Sequence, residues 1–92
     1  MGNRAVITTI IDSEGIYLHW NGGRDSVEPF LAFCKLKGFE SPEKDRDSWN
    51  KLKTVIGNFF GDDTSVEVGK VKDLPIPNDN GYYLIRLEWD RL

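Results

Sequence analysis

The stretch Arg4-Ala5-Val6-Ile7-Thr8-Thr9-Ile10-Ile11 decides the fold class. It is dominated by β-branched residues, whose stiff side chains suit a pleated strand better than a helix. Alternation puts Ala5, Ile7, Thr9 and Ile11 on one face and Val6, Thr8 and Ile10 on the other. Both sets are largely apolar, so the strand belongs in the middle of a sheet that is covered on both sides. Asp12-Ser13-Glu14-Gly15 then reads as a hairpin turn, with Gly15 free to take a left-handed conformation. Ile16 to Trp20 returns as a second, antiparallel strand.

Beyond it the periodicity changes from two to about 3.6 residues. Asn21-Gly22-Gly23 ends the strand, and Asp25 or Ser26 is placed to cap a helix with Val27, Phe30, Leu31 and Cys34 on its apolar stripe. Asp25 with Glu28 resembles a capping box, Pro29 falls in the first turn, and Gly38 supplies the stop. After the polar loop Phe39 to Lys44, Asp45 or Asp47 caps a second helix. Its stripe carries Trp49, Leu52, Val55, Ile56, Phe59 and Phe60, and Gly61 ends it.

Val66 and Val68 alternate with Ser65, Glu67 and Gly69, as in a short strand with one wet face. Lys72 to Gly81 holds too many breakers for a regular element. Tyr82 to Trp89 reads as the last strand, with Tyr83, Ile85, Leu87 and Trp89 on its inner face. The expectation is therefore an α+β fold of order ββααββ, an antiparallel four-stranded sheet with two helices on one face. At 92 residues it forms a single domain, 1–92, around one core.

Fifteen acidic against twelve basic residues give a net charge of −3, which offers no footing for duplex nucleic acid and slightly favours a basic partner. A single cysteine, Cys34, cannot form an internal disulfide and suits a reducing compartment. The apolar run near the N-terminus is too short to span a bilayer and lacks a signal peptide's basic flank, so the expected location is the cytoplasm, with no membrane partner.

Residue types able to carry chemistry are sparse. A structural metal site needs three or four clustered ligands, whereas the chain has one His and one Cys; neither a metal nor a cofactor is expected. Cys34 lies on an apolar helix stripe, where a buried inert thiol is the ordinary outcome. The most unusual segment is Tyr17-Leu18-His19-Trp20-Asn21-Gly22-Gly23-Arg24-Asp25-Ser26, where a strand runs through two glycines into a helix N-terminus. That geometry could hold an anion with Gly22, Gly23, Arg24, Ser26 and His19, or could simply be a turn whose N–H groups Asp25 and Ser26 satisfy. Gly23 is expected to carry the unusual backbone conformation. Trp20 and Trp89, at strand ends, are expected to stay partly exposed and to serve with Glu40, Glu43, Asp62 and Asp63 in contacts with a protein partner. An exposed last strand could also support a homodimer, although Arg86 and Glu88 discourage edge-to-edge pairing.

Asn3-Arg4-Ala5-Val6-Ile7, Tyr17-Leu18-His19-Trp20-Asn21-Gly22-Gly23 and Ile56-Gly57-Asn58-Phe59-Phe60 together resemble a family of small bacterial and phage-borne proteins. The resemblance implies a mobile-element setting and carries no catalytic residues over. By analogy of setting and size it implies a non-enzymatic inhibitor of the anti-CRISPR kind, which blocks a host nuclease or nucleic-acid-binding complex. The competing expectation is a domain that binds a nucleotide or other anion at the Gly22-Gly23 turn.

Overall fold

The computed structural model describes residues 2–9, 14–61, 65–86 and 89–91. Strands β1 (Ala5–Thr9) and β2 (Glu14–Leu18) are followed by helices α1 (Arg24–Leu36) and α2 (Ser48–Phe60), then by β3 (Val66–Lys70) and β4 (Tyr82–Ile85). The fold is α+β, and the four strands form one sheet in the order β3-β2-β1-β4.

The two-sided strand is where the sequence puts it. β1 pairs with β2 antiparallel, Ile7 opposite Ile16 and Ala5 opposite Leu18. On that face Ala5, Ile7, Ile16, Leu18, Val66, Tyr83 and Ile85 meet Val27, Phe30, Leu31 and Cys34 of α1 and Trp49, Leu52, Val55 and Ile56 of α2 in one core. On the opposite face Val6 and Tyr17 pack with Leu74 and Val71.

That second cluster explains a correction. The sheet is mixed rather than antiparallel, because β4 runs parallel to β1, with Val6 opposite Tyr82 and Thr9 opposite Ile85. β3 is antiparallel to β2 and lies at the other edge. The chain must therefore travel from one edge of the sheet to the other. It does so across the face opposite the helices, through a short 3-10 turn at Val71–Asp73 and on to Gly81. Leu74 and Val71 are the apolar residues that this crossing lays on Val6 and Tyr17.

Local differences have local causes. Gly15 is not in a left-handed turn but inside β2, opposite Thr8 and Gly69, where a Cβ would stand 2.6 Å from the Ile7 carbonyl oxygen. Asp12 and Ser13 of the expected turn, like Ile10 and Ile11, lie outside the described residues. Helix α1 is capped two or three residues earlier than Asp25 or Ser26, with Gly23 as its N-cap and no side-chain cap, so Asp25 belongs to the first turn and the capping box does not form. Pro29 consequently sits one turn further in, where its missing N–H leaves the Asp25 carbonyl without its helical donor. Gly38 and Gly61, both at positive φ (75° and 74°), follow the helices as expected. β4 ends at Ile85, short of Trp89, and an isolated antiparallel bridge joins Ile85 to Arg91.

Candidate functional site

Helix α2 carries its apolar stripe in the expected phase, yet the stripe divides into two parts. Trp49, Leu52, Val55 and Ile56 are buried, whereas Phe59 is 57% and Phe60 48% exposed. Helical spacing alone puts both on the same stripe as the four buried residues. The ring partners of these two phenylalanines are each other and side chains of α1: Phe59 lies 5.6 Å from Phe30 and 6.1 Å from Phe33, and Phe60 lies 5.7 Å from Phe30. The Phe30–Phe60 and Phe33–Phe59 pairs are edge-to-face, a favourable arrangement of ring quadrupoles. Leu36, one turn beyond Phe33 on the same helix, is 86% exposed, and Lys37 Nζ stands 5.9 Å from the Phe33 ring centre. The result is an aromatic surface on the helical side of the molecule. Helical phase predicts which way Phe59 and Phe60 point, but not that the stripe runs past the residues available to cover it.

The sequence-derived sites are distributed differently. Trp20 is 47% exposed, as expected, and meets His19 edge-to-face at 4.7 Å. Trp89 is only 2% exposed, with its indole N–H donating to the Phe39 carbonyl at 3.1 Å, and so is withdrawn from the set of exposed anchors. It reaches the core through a turn at positive φ (67°) rather than as the end of a strand. Glu40 is exposed and Glu43 half-buried, while Asp62 and Asp63 lie outside the described residues. The remaining charges near this loop are partly balanced, by Arg46 against Glu14 and Lys51 against Asp45, both at 3.8 Å.

At the two-glycine turn the unusual residues are not those expected. Gly23 has φ −74°, open to any residue, whereas Asn21 takes the left-handed conformation with φ 62°. Gly22 is constrained by packing instead, since a Cβ there would lie 2.5 Å from the Asn3 carbonyl oxygen and 2.7 Å from Ala5 Cβ. Its N–H donates to the Asn3 carbonyl at 2.8 Å, and its own carbonyl accepts the Tyr83 hydroxyl at 2.9 Å. Gly22 therefore joins the N-terminus, the start of α1 and β4. Arg24 lies 3.6 Å from Glu28, one helical turn on, and His19 Nδ1 shares a 2.9 Å hydrogen bond with the Tyr17 hydroxyl.

Burial pushes the Cys34 thiol up to about 12, the opposite of what a nucleophilic cysteine requires. Among the described residues no group of His, Cys, Asp and Glu side chains could hold a metal ion, and no helix is long and apolar enough to cross a membrane. No protein-family model, curated protein or solved structure matches the chain.

Proposed function

We propose that this is a non-enzymatic binding protein that docks on a protein partner through the phenylalanines at the end of α2. The observation that carries this reading is the half-exposed, adjoining pair Phe59 and Phe60, whose rings pack against Phe30 and Phe33 of the neighbouring helix. Leaving two such rings in water forgoes the stabilisation that burial would give, and rigid aromatics bring large contact area at small entropic cost. In the sequence they run directly into Gly61-Asp62-Asp63. Acidic groups there and at Glu40 and Glu43 would steer a basic partner toward the aromatic anchors.

The resemblance to small phage-borne proteins suggests which partner. A host nuclease or nucleic-acid-binding complex has the basic surface that an acidic inhibitor would occlude, and its setting is the bacterial cytoplasm. The test is retention from a bacterial lysate on immobilised wild-type protein and on a Phe59→Ser/Phe60→Ser variant of verified fold. A protein held by the first and lost by the second supports the reading. Identical retained sets, or none, overturn it.

A further inference from the structure

The loop between α1 and α2, together with the indole of Trp89, borders a cleft of about 210 Å³ that is also lined by Lys35, Phe39, Glu40, Ser41 and Lys44. Ser41 is only 4% exposed, and its hydroxyl has no hydrogen-bond partner among the described residues. A shielded hydroxyl without a partner is costly, and a ligand acceptor that reached it would supply the missing hydrogen bond. The charges at the cleft are of both signs. Lys35 is engaged by Asp90 at 3.1 Å, which leaves Lys44 and Glu40 with no ion-pair partner among the described residues. The cleft also lies at the carbonyl end of α1, which carries roughly half a negative charge. A simple anion would meet Glu40 and that helix end as well as Lys44, so the balance does not favour it. A molecule bearing both an ammonium and a carboxylate satisfies both signs at once, and the volume, below the roughly 300 Å³ at which drug-sized pockets begin, limits it to a few heavy atoms.

We infer that this cleft binds a small zwitterion of the α-amino-acid class, with its carboxylate on Lys44 and the Ser41 hydroxyl and its ammonium toward Glu40 and the carbonyl end of α1. The site contains none of the phenylalanines of the docking surface and shares with that reading only Glu40. It is tested by titrating the full chain with L-alanine, propionate and ethylamine while following the Ser41 amide and Trp89 indole N–H by NMR. Alanine should shift both signals saturably, and the two half-ligands should bind at least about tenfold more weakly, as loss of one charged contact implies. Lys44→Ala and Glu40→Gln should each weaken alanine by about tenfold, while Phe60→Ser leaves it unchanged. The inference is overturned if the three probes behave alike, if no saturable shift occurs up to the solubility of alanine, or if Lys44→Ala and Glu40→Gln bind as the wild type does.

Discussion

Trp49 is fully buried, yet its indole N–H has no hydrogen-bond partner among the described residues, so its packing must outweigh an unpaired donor. Trp49→Ala should therefore cost about 3–5 kcal/mol in a denaturant melt. Trp49→Phe should cost less than about 2 kcal/mol, because the lost volume is partly offset by removing the unpaired donor. The two glycines of the turn provide a second contrast. Gly22→Ala pushes a methyl into the Asn3 carbonyl and Ala5, an overpacking worth about 1–3 kcal/mol. Gly23→Ala, at ordinary φ and with Asn3 Nδ2 as its nearest neighbour at 3.5 Å, should stay within about 0.5 kcal/mol, so paired melts separate a packing role from a conformational one. Cys34 gives a prediction in pH. Its folded thiol is held protonated by burial, so the folded state binds the extra proton and stability falls as pH rises from about 8.5 toward about 12. Cys34→Ala should flatten that alkaline limb in melts recorded across the window.

The crossing from β3 to β4 ends in a pinned turn. Asn80 N–H donates to the Arg4 carbonyl at 3.0 Å, and Asp79 accepts both the Arg4 backbone N–H and its guanidinium at 2.9 Å. These bonds fasten the end of the crossover to the beginning of β1, beside the strand it must join in parallel. The Arg4 side-chain hydrogen bond leads the causes that hold the Asp79 carboxyl below its usual range. Its folded pKa is depressed, so its contribution is present above the ordinary aspartate value of about 3.9 and is lost as pH falls through the folded value. Asp79→Asn should weaken the loss of stability as pH falls below about 4 and leave the pH dependence near neutrality unchanged. An unaltered acid limb would show that the Asp79 carboxylate contributes nothing to stability through its bonds to Arg4. The elements themselves were legible because each is signalled locally: β-branched alternation for β1, helical spacing for α1 and α2, and glycine stops at Gly38 and Gly61. The parallel pairing of β4 was not, since it depends on residues more than seventy positions apart and on a loop whose polar breakers conceal Val71 and Leu74. The same limit applies to the surface: spacing gives the direction of Phe59 and Phe60, while their exposure depends on what α1 supplies opposite them.

At the scale of the whole molecule, one sheet face is closed by two helices and part of the other by the crossover; large apolar side chains stay exposed at Phe59 and Phe60 where α2 ends, and also at Trp20, Leu36, Ile76, Tyr82 and Leu84. Trp49 and Phe60 lie on the same helix, and the account assigns them opposite roles, one to the core and one to contact. Aromatic anchors and steering charges also act on different rates: loss of a desolvated anchor raises the dissociation rate, whereas reversal of rim charges lowers the association rate and its dependence on salt. Changing Glu40, Glu43, Asp62 and Asp63 to Lys should therefore slow association with little change in lifetime. The most direct measurement is the dissociation rate of the captured partner from wild-type protein and from the Phe59→Ser/Phe60→Ser variant, with both shown to melt within about 1.5 kcal/mol of each other. The account predicts dissociation at least about tenfold faster from the variant. Equal rates from two equally folded proteins would contradict it.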